Sequence, residues 1–403
     1  MFNLPKRLNF SKNKKNINLI IKGQGVFVFN CNNNKENSSF NIYNEEKNNG
    51  LKIIFTFNGI EIYNISTNEK YEDINNTIGL SYLNNAFYWF SLDSQNQILR
   101  AGIGETRLET VIYEYKFIND NDYEINKQFL ESLSNIEINN NINCLKLLKD
   151  PVINKIPLVV KNSNDITIDD IAENIYMPKS FLSYNSCILY DSVCGNNFVL
   201  NTKDFPNFSK AIEYSIKTEG CWCNNKLKEK STEFDKDKPN LNETYLRITL
   251  GKNSGESPGI PYVLEIWPVG HYSPIHSHAN TDAIIRVLRG EINVKLYPFL
   301  CPDKNELKPF AISNLKKNEI TWISPDLNQV HQLKNLETNT KACITMNCYI
   351  YTQNDNKHYD YFDYIDSDNK LQQYEPDSDM DFVKFKQLMK TEWNNRSLKD
   401  KLF

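Results

Sequence analysis

No stretch of about 18 apolar residues runs together anywhere in this chain, which excludes a hydrophobic membrane-spanning helix. Charge of either sign is in little excess: 46 basic residues stand against 50 acidic ones, a net charge of −4. That balance argues against a general nucleic-acid or anionic-membrane binder, whose affinity would rest on a basic surface. The first residues, MFNLPKRLNFSKNKKN, carry positive charge but lack the apolar run of a secretory signal. The nine cysteines are an odd number at irregular spacing, so reduced thiols and a cytoplasmic location are expected. Cys221 and Cys223 form C-x-C with no second pair at zinc-ribbon spacing, which reads as structural rather than metal-binding. Histidine is scarce, with five residues in 403.

What the chain does have is aromatic residues, 22 Tyr and 22 Phe, which suit pleated, half-buried surfaces and favour β-structure. Its length exceeds what a single core usually fills, so two domains are expected. The first is a β-rich, sandwich-like domain over residues 1–150. There Asn58-Gly59 sits between two β-rich runs, a hairpin signal, and Asp93-Ser94-Gln95-Asn96 reads as a turn between strands. Gly102 and Gly104 lack the rest of a nucleotide-binding loop and read as a tight turn. The segment FYWFSLDSQNQ followed by G-x-G-E resembles the β-sandwich module of farnesoic acid methyltransferase-like proteins over some thirty residues. That resemblance implies an interaction or structural module, with its partner unknown.

Residues 151–180, with Pro151, Pro157 and the Asn/Asp-rich KNSNDITIDD, read as a linker. A helix is expected after Asp204, capped by that residue, with Pro206 in its first turn and Gly220 at its end. Phe208, Ala211, Ile212, Ser215 and Ile216 would form its apolar stripe. Short strands follow from Tyr245 to Tyr351, and in EINVKLY the residues Ile292, Val294 and Leu296 alternate with polar neighbours as a half-buried strand does. The end of the chain, 366–403, reads as a helical tail with Phe382, Phe385, Met389 and Trp393 on one core-facing stripe.

Four of the five histidines fall between 271 and 331. His276 and His278 form H-x-H, and on a strand residues two apart face the same side. After 52 further residues comes His331, at H-x3-N spacing with Asn335. Three imidazoles pointing into one barrel make a metal site with open coordination positions, as catalysis needs. Zinc, nickel or copper would also suit three histidines, so spacing alone does not fix the metal. His271 reads as a loop residue at the barrel mouth, and His358 as a surface residue.

The pattern G-x5-H-x-H…G, from Gly270 to Gly290, followed by H-x3-N resembles the two motifs of the cupins. YLRITLGKNSGESPGIPYVLEIWPVGHYSPIHSHANTDAIIRVLRGEINVKLY, WISPDLNQVHQLKN and TMNCYIY resemble cysteine dioxygenase in particular, over roughly residues 180–355. The resemblance implies a mainly β fold, with a cupin (double-stranded β-helix) barrel and flanking helices at 181–365. It implies Fe(2+) held by His276, His278 and His331. It also implies Arg247 gripping the substrate carboxylate, Tyr245 beside it at the substrate, and Tyr349 as the active-site tyrosine. The expected reaction is oxidation of L-cysteine to its sulfinate by O2. Alternatives are another small thiol, such as 3-mercaptopropionate or cysteamine, or a metal-binding cupin that serves as a binding protein.

Two positions depart from the family pattern. Ala283 stands where vertebrate enzymes carry a cysteine, so a thioether crosslink to the tyrosine cannot form, and Asn347 stands where the family has a histidine. Many cupins add an acidic ligand after the second histidine. Asp282 could fill that role, but the spacing to Gly290 puts Ala283 in the ligand slot and favours a site of three histidines.

Overall fold

The structure is a computed structural model. It describes residues 6–10, 14–31, 37–72, 79–80, 86–117, 122–139, 142–250, 262–278, 281–302, 308–350 and 362–396; His358 and Tyr351 lie outside them. The chain divides into two compact units, Met1–Ile156 and Pro157–Phe403.

The first unit is built from two six-stranded sheets. One runs in the order Arg7–Asn9, Ile142–Leu148, Gln24–Cys31, Phe87–Asp93, Ile98–Ile103, Val111–Lys116. The other runs Asn16–Asn18, Leu133–Ile138, Ser38–Asn44, Gly50–Thr56, Gly59–Asn64, Lys70–Tyr71. Alternate residues face inward, so Phe27 and Phe29 of one sheet meet Phe40 and Phe55 of the other. Their ring centroids stand 4.9 Å apart for Phe27–Phe40 and 5.0 Å for Phe29–Phe55, and all four side chains are buried. This is a β-sandwich. Its hairpin turns at Phe57-Asn58, and Gly59 at φ 150° opens the second strand paired to Thr56. The turn after Asp93 is closed by the Asn96 amide donating to the Asp93 carboxylate at 3.0 Å. Gly102 is a strand residue opposite Trp89. A Cβ there would come within 2.1 Å of the indole, so close packing accounts for the glycine.

In the second unit the strands are β1 (Val159–Lys161), β2 (Tyr176–Pro178), β3 (Leu246–Leu250), β4 (Tyr262–Trp267), β5 (Ile275–Ser277), β6 (Asp282–Arg289) and β7 (Glu291–Tyr297). They continue as β8 (Ala311–Lys316), β9 (Ile320–Ile323), β10 (Val330–Lys334), β11 (Cys343–Ile350), β12 (Phe362–Ile365), β13 (Leu371–Tyr374) and β14 (Met380–Asp381). The helices are α1 (Ile168–Ala172), α2 (Tyr184–Val193), α3 (Phe208–Lys217), α4 (Trp222–Glu229) and α5 (Phe382–Asn394). An eight-stranded sheet, β2-β1-β9-β6-β11-β4-β3-β14, faces a six-stranded one, β8-β7-β10-β5-β12-β13. Trp267, Val287 and Cys343 of the first sheet pack with Ile292, Val294, Leu296 and Leu333 of the second. Ile292, Val294 and Leu296 of β7 face this core as expected, but Asn293 and Tyr297 on the other face are buried too, so the strand is not half-exposed; Gly290 makes the tight β6–β7 connection at φ +77°.

The expected linker is not one. Within 151–180, β1 pairs with β2 and with β9 of the barrel sheet, because Val159 and Val160 supply an apolar strand that the sheet edge accepts. The tail is likewise integrated: β13 and β14 extend the two sheets, and α5 lays Phe385 against Phe208 at 5.9 Å. Phe208, Ala211, Ile212 and Ser215 are buried, as the stripe predicts. The ends of α3 differ from expectation. Asn207, not Asp204, is the N-cap residue; Asp204 lies four residues before the first helical residue, and its carboxylate stands 2.8 Å from Lys386 on α5. Pro206 therefore precedes the helix, and Thr218 ends it ahead of Gly220. No helix among the described residues is long and apolar enough to cross a membrane.

Candidate metal centre

His276 on β5 is in register with His331 on β10, and His278, one residue past the end of β5, continues the two-residue period to the same side. The result is three converging Nε2 atoms: His276 to His278 is 3.1 Å and His278 to His331 is 3.2 Å. These are the three residues among those described that could share one ion. The outer nitrogens set the tautomers. Nδ1 of His276 lies 3.0 Å from the Pro274 carbonyl and Nδ1 of His331 lies 3.1 Å from the Asn328 carbonyl. Each Nδ1–H therefore donates outward and leaves a lone pair on Nε2 aimed inward. Lone pairs facing one another this closely call for a proton or a metal ion between them. Burial works against the proton: it pushes His276 down to about 3 and His331 to about 4, and holds His278 well below its ordinary value. Two nitrogens bound to one ion at about 2.1 Å each stand about 3.0 Å apart at a right angle, close to the spacing found here. The donor set fits a divalent metal.

The barrel interior around the three imidazoles is mostly aromatic. Phe362 comes 4.5 Å from the His278 ring, and Tyr349 stacks on the same ring at 5.5 Å. Trp267 and Tyr245 stack at 4.2 Å on the adjoining wall. Arg247, Glu265 and Asn347 line the same cavity, whose volume of about 20 Å³ is little more than the room one water takes.

Each predicted site residue has a definite place. Arg247 on β3 is buried, and its Nη1 donates to Glu265 Oε1 on β4 at 3.0 Å, the two being direct cross-strand partners. The arginine Nε has no hydrogen-bond partner. Tyr245, just before β3, is buried beside it. Tyr349 on β11 lies opposite Ala283 on β6, so the departure at Ala283 faces the tyrosine directly. Burial first, and then the Glu265 charge, push the Tyr349 phenol well above its ordinary value, which keeps it a hydrogen-bond donor. Asn347 Nδ2 donates to the Tyr349 oxygen at 3.3 Å, so the amide reaches the phenol. Asn347 Oδ1 has no partner.

Asp282 is not at the centre. Its carboxylate accepts from Ser183 Oγ at 2.7 Å, Ser186 Oγ at 3.0 Å and Asn185 Nδ2 at 3.3 Å, tying β6 to the start of α2. Asp282→Ala is expected to leave metal content unchanged while costing about 1–3 kcal/mol, because buried hydroxyls lose their acceptor. Metal analysis together with a melting curve separates the two roles. Asn335 also stays away from the ion position, its amide donating to the Trp267 carbonyl at 2.8 Å. His271 is in a loop as expected, but it is buried, with Nδ1 3.0 Å from both the hydroxyl and the carbonyl of Thr244. Cys223 of the C-x-C pair is buried against Met389 at 3.9 Å. Glu265 is the site residue that motif reading missed. The signal was present as a lone acidic residue inside the apolar run VLEIW, in a strand buried on both faces.

A two-sheet barrel with two inward-facing histidines on its strands and a third one residue past the end of β5 defines the cupin class of metal site. Residues 233–361 match the family model described as cysteine dioxygenase type I, so the C-terminal region is cupin and cysteine dioxygenase-like, with a thiol dioxygenase type of function indicated by that match. Among solved structures, the Schizosaccharomyces pombe Cnp3 cupin domain is similar at 15% identity and a TM-score of 0.21, over 26% of this chain and 64% of that one. A Klebsiella pneumoniae protein with a double-stranded β-helix domain is similar at 18% identity and a TM-score of 0.21, over 27% and 74%. Cellulomonas parahominis L-ribose isomerase is similar at 13% identity and a TM-score of 0.19, over 23% and 50%. This chain thus spans less than two thirds of the isomerase and of the Cnp3 domain. At these scores the likenesses carry no inference about substrate or metal.

Proposed function

We propose that the C-terminal unit is an iron(II)-dependent thiol dioxygenase whose substrate is L-cysteine and whose product is cysteine sulfinate. The observation that carries this reading is the convergence of three imidazole Nε2 atoms in one cavity with a buried arginine and a buried tyrosine. Iron(II) on His276, His278 and His331 would supply a centre at which a thiolate and dioxygen meet, both oxygen atoms passing to sulfur. The chain's own groups do the rest. Arg247, fixed by Glu265, presents its unspent Nε–H to the substrate carboxylate, a charge-assisted contact in a dry site. The Tyr349 hydroxyl, steadied by Asn347, offers a hydrogen bond beside His278, and Tyr245 closes the wall next to Arg247. The aromatic lining excludes bulk water.

The test is oxygen uptake by anaerobically iron-loaded protein given L-cysteine, with the product weighed by mass spectrometry. A product two oxygen atoms heavier is expected. Iron bound with no uptake from any small thiol would overturn the reading. Arg247→Gln is expected to lower kcat/KM for L-cysteine about 100-fold, the loss of a charge-assisted contact of about 1.5–3 kcal/mol. It should spare cysteamine, which has no carboxylate; equal losses for both would remove Arg247 from substrate binding.

A further inference from the structure

Behind His331 the barrel holds a second cavity, of about 30 Å³, room for about two water-sized spheres. Arg247, Glu265 and the tyrosines of the metal cavity take no part in it. Its wall comes from the apolar core between the sheets, chiefly Ile292, Val294 and Leu296 of β7 and Leu315 of β8. Four residues, Ile285, Ile323, His331 and Leu333, line both this cavity and the metal cavity, so one layer of side chains separates the two spaces. Leu158 in the lining is half-buried, which brings the outer end close to solvent. Water has little to hold it there. His331 spends Nδ1 on the Asn328 carbonyl at 3.1 Å and aims Nε2 at the ion position. Asn328 donates its amide to the Trp322 carbonyl at 3.0 Å, and the Thr345 hydroxyl accepts from the Trp267 indole at 3.4 Å. Of the polar side chains in the lining that leaves the Thr321 hydroxyl, whereas a buried water typically makes about three hydrogen bonds. A small apolar space of this kind stays dry and takes up small apolar molecules.

We infer that this cavity is a dioxygen chamber: it holds the apolar reactant beside the metal centre and passes it to the ion position past Ile285 and Ile323. The inference rests on the thiol-oxygenase reading above and adds the route of the second reactant. The two reactants differ in kind, and the barrel offers each a space of matching character. A polar thiol meets the cavity of Arg247, Glu265 and Asn347. Dioxygen, apolar and diatomic, meets the aliphatic one. A thiol bound beside the histidines obstructs any second molecule arriving from its own side, and a separate approach removes that conflict. Ile285 and Ile323, the two aliphatic residues between the cavities, pack with Ala283 and Tyr349. Their side chains carry no polar group, so a rotamer change there opens the way without breaking a hydrogen bond.

The experiment has a binding readout and a kinetic one. The chelator-treated full chain, methyl-labelled at Ile, Leu and Val, is placed under oxygen pressure near neutral pH, and the relaxation that paramagnetic dioxygen induces is read methyl by methyl. Ile292 and Leu296 are expected to show at least about fivefold more of it than Leu51 and Ile53, which are also buried but belong to the first unit's core. Val294→Ile then adds one methylene to the cavity. In the iron-loaded chain it is expected to raise KM for dioxygen at least about threefold, while kcat at saturating oxygen and KM for the thiol change less than about twofold. A general packing defect would move all three together. Leu315→Phe fills the same space from β8 and carries the same expectation if Val294→Ile does not fold. Relaxation at Ile292 and Leu296 no greater than in the first unit, or an unchanged KM for dioxygen in both variants, would overturn the inference and leave the thiol-oxygenase reading standing. A wild type that takes up no oxygen with any small thiol would take both down.

Discussion

Replacing His331 by alanine is expected to reduce bound iron from about one per chain to less than a tenth, and thiol-dependent oxygen uptake at least 1,000-fold. The argument is geometric. His331 Nε2 stands 3.2 Å from that of His278, and the Asn328 carbonyl holds its tautomer at 3.1 Å. Only two nitrogen donors remain without it, and among the described residues no fourth ligand waits in reserve, since Asp282 is committed to α2. Even loss of a group that merely orients a ligand typically costs 10–100-fold in affinity or activity, so loss of the ligand itself should cost more. His271→Ala is the control. It also removes a buried histidine, one bonded to Thr244, and should lower stability with metal content intact. A second reading comes from metal-dependent stabilisation. At an ion concentration about 100 times the Kd the wild type gains about 2.7 kcal/mol, and His331→Ala should gain nothing. Normal iron binding by the variant would mean that the three histidines do not act as a ligand set.

What could be read in the sequence follows the chemistry that constrains residue type at a fixed spacing. His276 and His278 were legible because a strand's period of two leaves one way to put both on one face. Arg247, Tyr245 and Tyr349 were legible through resemblance, and the structure sets all three in the histidine cavity. Glu265 was not. Its importance depends on being the cross-strand partner of Arg247, and the register between two strands is not written in either strand alone. The same holds for Asp282. Spacing allowed it as a ligand, while the serines that claim its carboxylate lie almost a hundred residues earlier, at 183 and 186. Local rules make Asp204 a cap, while in the fold the helix begins at Phe208 and Asp204 instead pairs with Lys386 on α5. In each case the deciding partner was distant in the chain and specified by the fold.

The other large effect is on stability against acid. Metal-free protein is expected to lose the second unit's fold between about pH 6 and pH 4. In the unfolded chain the site histidines titrate near 6.5. Folded, burial holds His276 near 3 and His331 near 4, and keeps His278 well below its ordinary value. Below pH 6.5 the unfolded state therefore binds protons that the folded state refuses, and stability falls as pH falls until the folded values are reached. Each such proton is worth about 1.36 kcal/mol per pH unit, so His276 and His331 alone give a slope of about 2.7 kcal/mol per unit, and His278 steepens it. Two units of acidification then remove about 5 kcal/mol or more, comparable with the whole stability of a typical domain at about 5–15 kcal/mol. His271, also lowered by burial, acts in the same sense. Carboxylates work in a different window: Asp204, held near 2 by Lys386 and Thr202, releases its contribution only below about pH 4. The measurement is a series of urea melts of chelator-treated full chain from pH 7.5 to 4, repeated with His331→Gln. The wild type should show the steep slope and the variant a shallower one. A flat profile to pH 4.5 would mean that the imidazoles take up protons while folded, and that the convergence of three neutral nitrogens, on which the metal centre depends, is not maintained in the absence of metal.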